Sequence, residues 1–253
     1  MPAAPSVPTE TILITGASAG IGRALSEAWL ERGQRVLALQ RRISGLGEHP
    51  RFSECLADLA DLGGLAARVR ELLGGITELD RVILNAAIGS ELRDIGATPL
   101  AALRHSMDVN TWSNKVILDT IFGAGVRVKQ VVGISSGAAV RGSRGWNGYA
   151  LSKAAFAMLV QLYAAERPGT HFCSLAPGVV QTKMQDDLLD YGPEERERFP
   201  ALQRLLALRG TPDMPLPEVA AVALLEAFDL VRAEPSGSFI DLRTLRRNGS
   251  RPS

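Results

Sequence analysis

A β-rich run, Thr11-Ile12-Leu13-Ile14-Thr15, gives way to Gly16-Ala17-Ser18-Ala19-Gly20-Ile21-Gly22, and residues of helical periodicity follow from Ala24 to Arg32, stopping at Gly33. A second apolar run, Arg35-Val36-Leu37-Ala38-Leu39-Gln40, completes the pattern of a βαβ unit of about 30 residues. This unit constrains the fold more than any other feature, because two strands joined by a crossover helix pair in parallel and need helices to cover them. Gly16, Gly20 and Gly22, with Ser18, Ala19 and Ile21 between them, would let the backbone approach a pyrophosphate. The helix N-terminus supplies unpaired N–H groups and a partial positive charge to the same place. A tight turn with no ligand is the alternative that these residues alone leave open.

The alternation continues along the chain. Strands are predicted near Phe52–Leu56, Arg81–Leu84, Gln130–Ile134, His171–Leu175 and Ser238–Ile240, and helices over Leu62–Leu73, Pro99–Met107, Thr111–Phe122, Tyr149–Arg167 and Pro217–Val231. Nearly continuous apolar strands separated by helices imply an α/β fold of the doubly wound Rossmann type, a parallel sheet with helices on both faces. At 253 residues the chain fits one such domain, expected over 11–242. Residues 1–10 read as a disordered lead-in and 243–253 as a solvated tail. The charged, Pro-punctuated stretch 179–216 breaks the alternation just after a strand end, where ligands bind in such sheets, and is read as a mobile substrate lid. A surface excursion with no role is its alternative.

A formal charge of +1 carries no nucleic-acid footprint. Cys55 and Cys173 lack metal-ligand spacing and His49, His105 and His171 are scattered, so no metal site is expected and a reduced, cytoplasmic setting is the simplest account. The N-terminus has neither the basic start nor the apolar run of a signal peptide, and no stretch is long and apolar enough to span a bilayer.

The end of the second strand separates NAD from NADP, because an acid there binds the ribose 2′-hydroxyl while arginine accommodates a 2′-phosphate. This chain has Gln40-Arg41-Arg42, which points to NADPH/NADP+, two solvated arginines being the alternative. Tyr149 and Lys153 lie four apart, one turn of a helix, downstream of the glycine turn, with Ser136 between turn and pair. A tyrosine beside an ammonium suits a general acid for carbonyl reduction, and a serine hydroxyl can steady charge growing on the substrate oxygen.

With these residues in place the chain resembles the short-chain dehydrogenase/reductase family from about Thr11 to Asp241. Thr15-Gly16-x-x-x-Gly20-x-Gly22 resembles its cofactor turn, Asp58-Leu59 its adenine-contacting pair, and Leu84-Asn85-Ala86-Ala87 its Asn-Asn-Ala-Gly segment. Asn110 matches its helix asparagine, Ser136 with Tyr149 and Lys153 its catalytic set, and Pro177-Gly178-x-x-x-Thr182, including Val180, the segment meeting the nicotinamide carboxamide. The resemblance implies that Lys153 also holds the ribose hydroxyls and that Asn110 holds a water linking Lys153 to solvent. Many NADPH-using members carry a basic residue where Ala19 stands, so discrimination here would rest on Arg41 and Arg42.

A finer resemblance is to the sepiapterin reductase and benzil reductase branch, carried by Ala176-Pro177-Gly178-Val179-Val180-Gln181-Thr182-Lys183-Met184-Gln185 and by Gly237-Ser238-Phe239-Ile240-Asp241. It implies a ketone or diketone substrate, with Asp241 where that branch anchors a pterin. Ser136, Trp146, Tyr149, Met184 and Asp241 are therefore the expected substrate contacts, with Ala138, Ala139 and Val179 as further candidates for an apolar cleft. The alternatives are an NADP(H)-binding regulator that does no chemistry and an NADP-dependent alcohol dehydrogenase working oxidatively. Family members commonly form dimers or tetramers through helices beginning near Thr111 and Tyr149, so a homo-dimer or homo-tetramer is expected.

Overall fold

A computed structural model describes residues 9–249. Seven strands form one wholly parallel sheet: β1 (Thr11–Thr15), β2 (Arg35–Gln40), β3 (Phe52–Leu56), β4 (Glu78–Leu84), β5 (Arg127–Ile134), β6 (His171–Ala176) and β7 (Ser238–Asp241). Their order, β3-β2-β1-β4-β5-β6-β7, runs outward from β1 to one edge and then from β4 to the other. The order therefore reverses between β1 and β4, and a crevice opens there at the strands' C-terminal ends.

The helices are α1 (Gly20–Glu31), α2 (Leu62–Leu73), α3 (Leu100–Met107), α4 (Ser113–Gly123), α5 (Asn147–Glu166), α6 (Lys183–Asp186), α7 (Pro193–Arg198), α8 (Pro200–Ala207), α9 (Pro217–Leu230) and α10 (Leu242–Gly249). Alternate strand residues feed two separate cores, as the pleat requires. Leu13, Leu37, Val82 and Val131 face α2, α4 and α5, while Ile12, Ile14, Val36, Ile83 and Val132 face α1 and α9. On the second face Trp29 stacks on Phe228 with centroids 5.9 Å apart, locking α1 to α9.

Several boundaries depart from the expected ones. Helix α1 starts at Gly20 rather than Ala24, because the glycines that sequence treats as breakers sit in its first turn behind the N-cap Ala19. Strands β4 and β5 begin three residues earlier than expected, where Glu78, Asp80, Arg127 and Lys129 interrupt the apolar runs. Those charges pair across the two strands, Arg127 with Glu78 at 2.8 Å and Lys129 with Asp80 at 2.6 Å, and so belong to the sheet. Helices α3 and α4 are joined without a break by a π-helical turn over Asp108–Trp112.

The segment expected to be a tail is instead α10, with Leu242 buried and Leu245 packed on the α1/α9 core. Of the expected lead-in, residues 1–8 lie outside the described residues, as do 250–253 of the expected tail. No helix among the described residues is long and apolar enough to cross a membrane, and none of their His, Cys, Asp and Glu side chains cluster as a metal site would require.

Candidate active site

The crevice at the sheet's switch point holds a cavity of about 440 Å³. Its floor is the turn after β1. Gly16 and Gly20 take φ of +76° and +57°, the left-handed region that glycine enters without strain. Gly22 is required by close approach rather than by φ: a Cβ there would lie 2.2 Å from the Gly16 carbonyl oxygen and 2.5 Å from Asn85 Nδ2. The N-cap Ala19 has no side chain able to satisfy the first amides of α1, which leaves them free for an anion. Thr15 and Asn85 clasp the neighbouring strand ends. The Thr15 hydroxyl accepts from the Asn85 and Ala86 N–H groups, each at 2.9 Å, and Asn85 Nδ2 donates to the Thr15 carbonyl at 2.9 Å.

Ser18, Ala19, Gly20, Ile21, Arg41, Arg42, Asp58, Leu59, Asn85, Ala86, Pro177, Gly178, Val180 and Thr182 line this cavity, together with Ser136, Trp146, Tyr149, Lys153 and Met184. Residues selected from nearly the whole length of the chain thus meet at one place. Gly22, Asn110, Ala139 and Asp241 do not line it. Gly22 works from beneath, as its contacts show. Asn110 sits in the π turn, where its Oδ1 accepts from Ile88 N–H at 2.8 Å while Nδ2 donates to the Ile88 carbonyl at 3.0 Å and to Ser152 Oγ at 2.9 Å. Its side chain is consumed in tying helix to loop.

Asp241 lies outside the cavity's lining and is paired with Arg243. Its carboxylate accepts from Arg243 N at 3.0 Å and Nε at 2.9 Å, and pairs with Arg243 Nη2 at 2.5 Å. The guanidinium holds the carboxyl below the usual carboxylate range.

At the other end of the cavity Lys153, only 3% exposed, donates to the Ile134 carbonyl at 2.8 Å, with its Nζ 5.8 Å from the centroid of the Tyr149 ring. Burial lowers the lysine to about 8. Burial raises the Tyr149 phenol, and the Ser136 hydroxyl offsets part of that rise. Tyr149 is therefore kept neutral, the form that can give up a proton. Ser136 caps the short 3₁₀ turn after β5, its oxygen accepting from Ala138 N at 3.2 Å.

The stretch 179–216 carries three short helices, α6, α7 and α8, and part of it forms a small core of its own. Phe199 and Leu202 are buried with Leu92 against Trp146, Leu188, Tyr191 and Leu206. Polar ties reinforce this cluster. The Leu92 N–H donates to Tyr191 Oη at 2.8 Å, and Asp94 accepts from Arg144 and Arg198, each at 2.6 Å, which holds its carboxyl well below the carboxylate range. Met184, Leu188 and Leu205 from this stretch face the cavity.

Sequence reasoning missed Ser90, His105, Leu188 and Leu205 as lining residues. Ser90 also accepts from the Tyr149 N–H at 3.2 Å. The signal for Ser90 was its place five residues after Asn85, in the loop at the end of β4; Leu188 and Leu205 carried only their position inside the expected lid.

The short chain dehydrogenase family pattern matches residues 10–191. The chain is 28% identical over 247 residues to a benzil reductase ((S)-benzoin forming) of Bacillus subtilis, covering 92% of this chain and 98% of that protein. It is 33% identical over 199 residues to sepiapterin reductase of Mus musculus, covering 68% and 75%. Among solved structures it resembles a short chain dehydrogenase/reductase of Saccharomyces cerevisiae, at TM-score 0.79 and 20% identity over 92% of this chain and 96% of that one. It also resembles a candidate NAD(P)-dependent gluconate 5-dehydrogenase of Beutenbergia cavernae with bound NADP at low occupancy, at TM-score 0.75 and 26% identity over 94% and 96%. The chain belongs to the short-chain dehydrogenase/reductase family of oxidoreductases.

Proposed function

We propose that this protein is an NADPH-dependent carbonyl reductase acting on a ketone or diketone of the benzil or pterin type. The observation that carries this reading is one cavity with Ser136, Tyr149 and Lys153 at one end and Arg41 and Arg42 at the other. The residues present fit a dinucleotide: a glycine turn that a single Cβ would fill, an uncapped helix N-terminus, and exposed guanidinium groups beyond β2. Gly16 to Gly22 would hold the pyrophosphate, Asp58 and Leu59 the adenine, Arg41 and Arg42 the 2′-phosphate, and Pro177 to Thr182 the carboxamide.

The dinucleotide, when bound, supplies the hydride. This chain's residues do the rest. Tyr149, kept neutral by desolvation of its phenol, protonates the carbonyl oxygen as the carbon is reduced. The Ser136 hydroxyl hydrogen-bonds the same oxygen and steadies its growing charge. Lys153, charged below about pH 8, favours the phenolate left behind and orients the ribose. Trp146, Met184, Leu188 and Leu205 give the substrate end an apolar wall, which favours an aromatic ketone. Relatives described as a benzil reductase and a sepiapterin reductase support that substrate class.

Two further proposals accompany this one. Leu151, Met158 and Leu162 present one exposed apolar face of α5, and Trp112 before α4 is exposed as well, which supports a homo-dimer or homo-tetramer. Two buried free thiols, Cys55 and Cys173, support a reducing, cytoplasmic setting. The test of the cofactor reading is kcat/KM with each dinucleotide: NADPH is expected to exceed NADH by at least about tenfold, since phosphate contacts of this kind contribute more than 1 kcal/mol. Equal or better use of NADH would reject it.

A further inference from the structure

Arg41 and Arg42 project from a loop that a single carboxylate holds at both ends. Glu54 on β3 does not line the cavity. Its Oε2 accepts from the Gln40 side-chain amide at the end of β2, and also from Ser44, the N–H at 3.1 Å and the hydroxyl at 2.9 Å. Gln40 is 2% exposed and Ser44 4%, so both anchor points are buried while the two arginines between them are exposed. Ser44 is tied down further: its hydroxyl accepts from Leu46 N–H at 3.1 Å, and its carbonyl accepts from Arg23 Nη1 on α1 at 2.7 Å. Among the described residues neither Arg41 nor Arg42 makes a salt bridge, although carboxylates pair with many of the other arginines. Two guanidinium groups are thus left uncompensated on a backbone that cannot drift.

We propose that Glu54 is a positioning residue for 2′-phosphate recognition, closing the Gln40–Ser44 loop so that Arg41 and Arg42 meet the phosphate already in place. This rests on the NADPH reading above. A guanidinium fork loses affinity when its backbone must be ordered on binding, and fixing the loop beforehand removes that cost. The carboxylate's own charge acts in the opposite sense, since an anion near a phosphate site repels the ligand. The two effects differ in sign, which makes the proposal decidable: if the bracket matters most, deleting Glu54 weakens phosphate binding, and if charge matters most, it strengthens it.

The experiment is calorimetric titration of the full chain with 2′,5′-ADP and with 5′-AMP, for the wild type, Glu54→Ala, Arg41→Ala/Arg42→Ala and the triple variant. Wild type is expected to prefer 2′,5′-ADP, and Glu54→Ala to reduce that preference about tenfold while 5′-AMP affinity changes little. In the background lacking both arginines, Glu54→Ala is expected to have no further effect on the preference, because it acts only through them. Ser44→Ala, which removes the hydroxyl's bonds to Glu54 and Leu46 but keeps the Ser44 N–H bond to Glu54, is expected to shift the preference the same way by a smaller factor, and it serves if Glu54→Ala does not fold. An unchanged or increased preference in the Glu54 variant, or the same loss with the arginines absent, overturns the proposal. A wild type without preference for 2′,5′-ADP overturns the NADPH reading itself, and this proposal with it.

Discussion

Tyr149 and Lys153 illustrate how one cavity imposes opposite costs on two neighbouring groups. Burial raises the phenol and lowers the ammonium, so each is pushed towards its neutral form. Lys153 is cationic below about pH 8 and loses its charge above it. In a pH profile of kcat/KM for NADPH, which reports groups of the free enzyme, reduction is expected to hold up to that point and decline as pH rises through about 8. A profile flat to pH 10 would contradict the lysine's role. The same shift is a stability statement. The folded value lies below the ordinary 10.5, so the unfolded chain binds more protons between about 8 and 10.5, and stability rises with pH across that window. Below it the buried charge costs about 3 kcal/mol, partly offset by the bond to Ile134. Lys153→Met is accordingly expected to lose turnover yet raise Tm at pH 7, with the gain shrinking towards pH 10; calorimetric melting curves check this. Ser136, Tyr149 and Lys153 were legible as residue types at a spacing. The hold of Glu54 on Gln40 and Ser44 was not, because it depends on the register of β2 against β3. The pairing of Asp241 with Arg243 was not legible for a similar reason: no spacing announces that Arg243 turns back on it.

At the scale of elements, the glycine turn and the order of strands and helices were readable from apolar periodicity, while the elements whose apolar pattern is interrupted were not. The charged starts of β4 and β5 are stabilised by one another, which neither run shows alone. The π turn around Asn110 is invisible in a sequence that reads as helix on both sides; its side chain holds Ile88, in the loop that also carries Ser90 to the cavity. Likewise the segment expected as a mobile lid carries its own small core and an ionic tie through Asp94 to Arg144 and Arg198. Asp94→Asn leaves the side-chain shape but removes the charge that both arginines share. It is expected to raise KM for the ketone several-fold while changing the Kd for NADPH little, since exposed charge pairs of this kind contribute modestly and the tie lies beside the substrate end. Equal effects on ketone and dinucleotide would place the tie outside any role in closing the substrate end.

For the molecule as a whole, the decisive fact is where the sheet reverses its order. β1 and β4 adjoin while the chain leaves them in opposite directions, so the turn after β1, the loop after β4, Ser136 after β5 and the segment after β6 all open into one crevice. Two apolar cores, one on each face of the sheet, hold those strand ends in place, and Tyr149 and Lys153 reach the crevice from α5, which packs on one of them. Carbonyl reduction in this crevice with Tyr149 as the acid is tested by NADPH oxidation with benzil by the wild type and by Tyr149→Phe, with NADPH binding measured in parallel. Turnover by the wild type is expected, with a loss of about 10²–10⁴-fold in kcat in the variant and its NADPH affinity retained. Turnover by Tyr149→Phe at the wild-type rate would contradict the tyrosine's role as the acid.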